Sequence, residues 1–227
     1  MSTVTTFAIV PVKALGEAKR RLAPALAPAQ RRRLVLTMLE DVLALLHDVD
    51  AIARILVVTP DADVASVATD RGAVVVGEER RGGDLNAAVR LGLAHARSQG
   101  ADRALVVPAD VPLATHAEML SVLTSVSADP ARQVAIVPSE DGEGTNALLL
   151  APPDVLQPEF GEGSFVRHVA QAVALGLDFR VLRLPGLGTD IDQPRDLARL
   201  AAATAVSDRY AFLDATANEG SRQEPSR

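Results

Sequence analysis

The chain has 227 residues, 48% of them apolar and only 3% aromatic, with no Trp and no Cys. Its formal charge is −6 and its pI near 5.2, which argues against nucleic acid as a partner, since no Lys/Arg run with interleaved aromatics offsets the acidity. The missing cysteines exclude disulfides, thiolate catalysis and Cys-based zinc sites and fit a cytoplasmic protein. No stretch approaches the roughly 18 apolar residues of a membrane span.

In chain order, Phe7–Val12 is an apolar, β-branched run that predicts a buried strand, followed by a loop over 13–27. Pro28 opens a long helix whose apolar set Leu34, Val35, Met38, Leu39, Val42, Leu45 and Leu46 keeps i, i+3, i+4, i+7 spacing. A second strand is predicted at Ile52–Thr59, then a helix capped by Asp61, then a short strand at Ala73–Val76. Gly77–Asp84 reads as a charged glycine loop, and Leu85–Gln99 as a helix ended by Gly100. Arg103–Val107 is a fourth strand, running into Pro108-Ala109-Asp110-Val111-Pro112, and a helix follows from Thr115 or His116. Strands are predicted at Val134–Pro138 and Asn146–Leu150, joined by a Gly-rich acidic turn. After Pro152-Pro153, the loop 160–164 feeds a helix to about Leu175, in which Arg167 and His168 could add positive charge. Phe179–Leu184 predicts a strand, Thr189–Asp192 an extended segment, and Pro194 the first turn of a helix ending near Ala203. Residues 204–227 form a polar tail with little to bury, partly disordered, in which Tyr210, Phe212 and Leu213 are the residues able to dock.

The alternation of strand and helix over 1–203 predicts a single α/β domain, a mostly parallel open sheet with helices on both faces. Such sheets bind ligands beyond the C-terminal strand ends. The loop after the first strand therefore stands out. Of 23 basic residues only Lys13 and Lys19 are lysine, and both lie there beside Arg20 and Arg21. A compact ammonium differs chemically from a guanidinium, so the pair marks a site suited to polyphosphate. Neither a Walker A nor a dinucleotide glycine motif is present.

Asp110 follows a buried strand, and Asp190 and Asp192 stand at i, i+2 on an extended segment, which points both carboxylates to one side. Carboxylates held that close repel unless a cation lies between them, and hard oxygen ligands select Mg²⁺ or Mn²⁺. On the residues alone, the alternative of turn and cap roles before Pro194 stays open. Ser164 can cap the helix after the 160–164 loop, where free N–H groups favour an anion. His47, His95 and His116 show no ligand or triad spacing.

Together, Val10-Pro11-Val12-Lys13 with Ala18-Lys19-Arg20-Arg21-Leu22, Leu85-Asn86-Ala87-Ala88, Pro108-Ala109-Asp110-Val111-Pro112-Leu113, Gly144-Thr145-Asn146-Ala147-Leu148-Leu149-Leu150, Phe160-Gly161-Glu162-Gly163-Ser164-Phe165 and Asp190-Ile191-Asp192-Gln193-Pro194 closely resemble the guanylyltransferases of coenzyme F420 biosynthesis, over about Phe7 to Leu200. Asp84 departs from the family pattern, which has Gly directly before Leu-Asn. The resemblance implies the nucleotidyltransferase fold shared with nucleotide-diphospho-sugar transferases. It also implies the coupling of GTP to a phosphorylated three-carbon acid, with release of pyrophosphate. The Arg- and Ala-rich composition resembles that of GC-rich actinobacterial genomes, which favours phosphoenolpyruvate over 2-phospho-L-lactate or 3-phosphoglycerate; a molybdenum-cofactor or sugar-phosphate transferase is the more distant alternative. By the same resemblance, Asp110, Asp190 and Asp192 hold one or two Mg²⁺ or Mn²⁺ ions. Lys13, Lys19 and Arg21 neutralise the triphosphate, with Lys13, Lys19 and Asp110 as the catalytic set. Gly83, Leu85 and Asn86 lie along the nucleotide, and Thr145, Gly161 and Ser164 hold the acid. A reactive adduct would favour transient hand-off to the next transferase of the pathway.

Overall fold

The computed structural model describes residues 4–77, 84–127, 132–203 and 208–216. Seven strands form one sheet in the order β3-β2-β1-β4-β6-β5-β7. The strands are β1 (Thr6–Pro11), β2 (Ile52–Thr59), β3 (Val74–Gly77), β4 (Arg103–Val106), β5 (Gln133–Pro138), β6 (Thr145–Ala151) and β7 (Asp178–Val181). β1 pairs in parallel with β2 and β4, β2 with β3, and β5 with β7, whereas β6 runs antiparallel to both β4 and β5. The expected mostly parallel sheet is therefore present, with one reversed strand. β7 ends at Val181, three residues short of the predicted Leu184.

The helices are α1 (Pro28–His47), α2 (Ala62–Asp70), α3 (Leu85–Ser98), α4 (His116–Thr124), α5 (Ser164–Ala174) and α6 (Pro194–Ala203). They cover both faces, which is why every residue of β1, β5 and β6 is buried. The pleat divides β1 between two cores. Ala8 and Val10 join Leu34, Met38 and Leu43 of α1 and Met119 of α4 on one face. Phe7 and Ile9 join Val89 and Leu93 of α3 and Ala172 of α5 on the other.

Two features place the site. The chain winds outward from β1 to β2 and β3, then returns to lay β4 on the opposite side of β1. This reversal opens a crevice at the C-terminal ends of β1 and β4, the usual ligand position in such sheets. The segment after β1 is not simple loop: short 3₁₀ turns at Leu15–Glu17 and Arg20–Leu22 bury Leu15 and Leu22. Asp61 fixes this segment while capping α2. One carboxylate oxygen accepts from the Asp63 and Val64 N–H groups at 3.1 and 3.4 Å, and the other from the Leu15 N–H at 2.9 Å.

At the C-terminal end, a 3₁₀ segment at Asp208–Thr216 docks on α1. Tyr210 and Leu213 are buried there, the Tyr210 hydroxyl donates to Asp41, and Arg33 stacks over Phe212 at 4.3 Å. The predicted docking residues are thus in contact with the domain, while 204–207 and 217–227 lie outside the described residues.

α3 crosses the sheet closely because position 92 is glycine. A Cβ there would meet Ile9 Cγ2 at 2.6 Å and Val58 Cγ2 at 3.0 Å, both on stiff β-branched core side chains. Gly92→Ala gains up to ~1 kcal/mol of helix propensity but overpacks the core at a cost of ~1–3 kcal/mol. Thermal unfolding should show a net loss of about 1 kcal/mol, or a few degrees in Tm.

Candidate active site

Lys19 is the residue on which the crevice converges. It sits between the two 3₁₀ turns in the left-handed conformation, φ 53° and ψ 40°, and is the single non-glycine residue with positive φ among the described residues. A lysine there is strained, by roughly 1 kcal/mol. The backbone tolerates this because the ammonium is held firmly: its side chain is only 8% exposed, it donates to Asp110 Oδ2, and Asp192 Oδ1 lies 3.5 Å away. Burial pulls the Lys19 pKa down, but the Asp110, Asp192 and Asp190 carboxylates outweigh it and hold the ammonium above the usual lysine range. Lys19 is therefore a fixed positive charge at ordinary pH.

The carboxylates come from two loops tied together. Asp110 follows β4, and its carbonyl accepts from the Ile191 N–H at 2.9 Å. Ile191 is fully buried, so its neighbours Asp190 and Asp192 project the other way, as the i, i+2 spacing predicts. Arg21 donates to Asp192 Oδ2 at 2.9 Å from an exposed position. Asn146 donates to Asp190 Oδ1 at 3.3 Å. Burial, then the Asp110 charge, push the Asp190 carboxyl above the usual carboxylate range despite that bond. The alternative cap role falls elsewhere: Asp196, in the first turn of α6, accepts from the Asp192 and Gln193 N–H groups at 3.1 and 2.7 Å.

Among the described residues, no group of three carboxylates or imidazoles is gathered to hold an ion unaided. An ammonium lies between Asp110 and Asp192 instead. The donor set still suits a hard cation: these are carboxylate oxygens, and burial together with the Asp110 charge disfavours the ionised form of Asp190, a condition that a divalent cation would relieve. Mg²⁺ commonly takes one or two carboxylates and completes its shell with phosphate oxygens and water.

Lys13 lies two residues beyond the C-terminal end of β1 and is exposed. Gly83 lies outside the described residues. Asp84, the departure from the family pattern, is the N-cap of α3 with an ordinary extended backbone, φ −65° and ψ 140°, and its carboxylate accepts from the Asn86 N–H at 3.4 Å. No glycine conformation is needed there. Leu85 begins α3 and packs against the second core.

The Asn86 amide closes a two-way clasp on Phe160. Its Oδ1 accepts from the Phe160 N–H at 2.6 Å and its Nδ2 donates to the Phe160 carbonyl at 3.1 Å. The helix that follows the glycine loop is thus bound to the start of the 160–164 loop.

The residues expected to hold the acid form a second cluster. Thr145 and Asn146 open β6, and the pleat sends Asn146 toward Asp190 and Thr145 toward α5. There Thr145 Oγ1 lies 2.9 Å from His168 Nδ1, and Ser164 donates to it at 3.3 Å. Two expectations are corrected. Ser164 does not cap α5: the cap position is Gly163, at φ 69°, with no side-chain cap bond, and Ser164 is fully buried against Thr145. The Ser164 and Phe165 N–H groups are also engaged, by the Gly161 and Glu143 carbonyls. His168 supplies no charge: it is fully buried, and burial pulls its pKa down to about 4 against a smaller upward pull from Glu159. Gly161 is exposed at φ 120°, a conformation suited to glycine.

No helix among the described residues is long and apolar enough to cross a membrane. A phosphoenolpyruvate guanylyltransferase of Sphaerobacter thermophilus is 44% identical over 203 residues, covering 89% of this chain and 96% of that one. A 2-phospho-L-lactate guanylyltransferase of Methanothermobacter thermautotrophicus is 34% identical over 196 residues, covering 86% and 83%. The solved structure of a nucleotidyl transferase from the same organism superposes with a TM-score of 0.70 at 19% identity, covering 90% of this chain and 99% of that one, which places the fold. The model of guanylyl transferases described as CofC like matches residues 6–219, and with relatives this similar over most of its length, the chain belongs to that family.

Proposed function

We propose that the protein joins GTP to phosphoenolpyruvate, giving enolpyruvyl-diphosphoguanosine and pyrophosphate, as a step of coenzyme F420 biosynthesis. The observation that carries this reading is the Lys19–Asp110–Asp192 cluster at the ends of β1 and β4, with Thr145 on the adjoining β6. The choice of acid is supported by the name of the Sphaerobacter relative. The Methanothermobacter relative supports 2-phospho-L-lactate as the second reading.

The chemistry needs no general base, because the phosphate of the acid is already an anion. One of its oxygens attacks the α-phosphorus of GTP in line, the bond to the β-phosphate bridging oxygen breaks, and pyrophosphate leaves with that electron pair. Alignment and charge neutralisation then supply the rate. Lys19 provides a fixed positive charge at the crevice with Arg21 at its rim, and the exposed Lys13 would meet the triphosphate. Leu85 and Asn86, with Gly83, would border the nucleotide; Thr145, Gly161 and Ser164 would border the acid. Asp110, Asp190 and Asp192 would hold Mg²⁺ or Mn²⁺, one or two ions, whose contribution is to neutralise charge on the reacting phosphates. A short-lived anhydride favours transient transfer to the enzyme that consumes it.

Pyrophosphate release with GTP and each of phosphoenolpyruvate, 2-phospho-L-lactate, 3-phosphoglycerate and a sugar phosphate tests the assignment. Turnover should be highest with phosphoenolpyruvate, and turnover with the sugar phosphate alone would refute it. Asp192→Asn should lower kcat by about 100-fold or more while circular dichroism and Tm stay close to wild type, and its Mg²⁺-dependent binding of a non-hydrolysable GTP analogue should weaken; unchanged binding and turnover would remove the metal role. Lys13→Ala should raise the KM for GTP about tenfold, the loss expected for one charged hydrogen bond, with the KM for the acid unchanged. An effect confined to the acid would reassign Lys13 to the other substrate.

A further inference from the structure

The mechanism leaves His168 without a role, although it is a fully buried polar side chain one hydrogen bond from a residue of the acid cluster. Its surroundings decide which nitrogen carries hydrogen. The Glu159 backbone N–H donates to Nε2 at 3.0 Å, so Nε2 is the bare acceptor. The neutral ring then carries its hydrogen on Nδ1 and donates it to Thr145 Oγ1 at 2.9 Å. Ser164 Oγ donates to the same oxygen at 3.3 Å. A threonine hydroxyl has two acceptor lone pairs and one donor hydrogen. With Nδ1 donating into one lone pair, the Thr145 hydrogen cannot point back at the ring and is turned toward another oxygen.

We propose that His168 is a positioning residue for the acid substrate: it fixes Thr145 as a hydrogen-bond donor, so that the Thr145 hydroxyl is aimed at an oxygen of the phosphorylated acid. The inference rests on the reading of the function given above and adds a residue to it. A phosphate or carboxylate oxygen accepts and does not donate, which matches a hydroxyl whose hydrogen is turned away from the ring. An imidazolium would keep the Nδ1 donor but lose the Nε2 acceptor, setting a charged ring against the Glu159 N–H.

The packing keeps the ring neutral and oriented. Phe160 meets it edge to face, with centroids 5.2 Å apart and planes at 71°. The charged groups facing it are Glu159 from the loop and Arg167 from α5, while β6 presents Thr145 and the start of α5 presents Ser164. Arg167 is held off by the Glu159 and Glu162 carbonyls, to which it donates at 3.0 and 2.7 Å. Burial is the largest cause lowering the pKa, to about 4 from 6.5. Between those values the unfolded chain takes up the proton first, so the contribution of His168 to stability is lost as pH falls through that window and is fully present above it.

The tests separate this role from a purely structural one. Two-bond proton–nitrogen correlation on the imidazole should show Nδ1 protonated and Nε2 bare in the intact protein near pH 7; the opposite tautomer would overturn the proposal. His168→Leu, which lacks both nitrogens, should raise the KM for phosphoenolpyruvate about tenfold or more and leave the KM for GTP within about twofold. His168→Asn keeps an N–H near the Nδ1 position and should recover most of that loss, and it serves as the folded control if the leucine variant is unstable. In a Thr145→Val background the His168 changes should add nothing further. Equal effects on both substrates, no recovery by Asn, or additivity with Thr145→Val would each overturn the proposal. Absence of wild-type turnover with either phosphoenolpyruvate or 2-phospho-L-lactate would instead refute the acid reading on which it rests.

Discussion

The Lys19 ammonium, held between Asp110 and Asp192, is the interaction on which the arrangement of the site depends. It joins three segments far apart in sequence: the turns after β1, the loop after β4 and the extended stretch before α6. Without an internal cation, Asp110, Asp190 and Asp192 would face one another across a half-buried crevice, and the repulsion would open the loops or protonate the acids. The strained backbone at Lys19 is consistent with this, since a left-handed lysine persists only where its surroundings over-determine it. Such a lysine neutralises the carboxylates around it, and in the proposed reaction it would also meet phosphate.

The sheet turns that local constraint into a working geometry. Because β1 and β4 are parallel neighbours wound to opposite sides, their following loops emerge side by side. The Ile191 N–H to Asp110 carbonyl bond then fastens the third segment to the second. Polar second contacts hold the rest: Asp61 grips the Leu15 amide, Asp196 the Asp192 amide, and Asn86 the Phe160 backbone. Each is a carboxylate or amide side chain bonded to backbone, which orders loops that would otherwise have few contacts.

Much of the fold was legible because β-branched runs and helical spacing do not compete with one another here. β1, β2, α1 and α3 follow their patterns closely, and Asp61 caps α2 as its position suggests. The reversed direction of β6 was not legible, since Thr-Asn-Ala-Leu-Leu-Leu-Ala carries no mark of strand orientation and only the short turn after β5 hints at a hairpin. In the site, the i, i+2 spacing of Asp190 and Asp192 around an apolar residue was informative. Lys13 and Lys19 were equal on the page, yet one is exposed and the other is buried among carboxylates, a difference that tertiary contacts alone create. Ser164 illustrates the opposite failure. A serine after glycine at a helix start reads as a cap, but the left-handed Gly163 takes the cap position and turns the serine inward. His168 carries no motif of its own, and Asn146, though inside the Gly144-Thr145-Asn146 motif, gave no sign that it would reach Asp190.

The reversed β6 has a consequence for how such a site can diversify. A parallel strand enters from the far side of the sheet through a crossover, and its length is tied to the helix that precedes it. β6 instead enters from a hairpin turn, 139–144, located at the same end of the sheet as the Lys19 cluster. Residues can be gained or lost in that turn while the crossovers that join β1, β2, β3 and β4 are left untouched. On the proposed reading, the acceptor end of the crevice is thus the part free to vary in length without altering the crossovers that would hold the nucleotide.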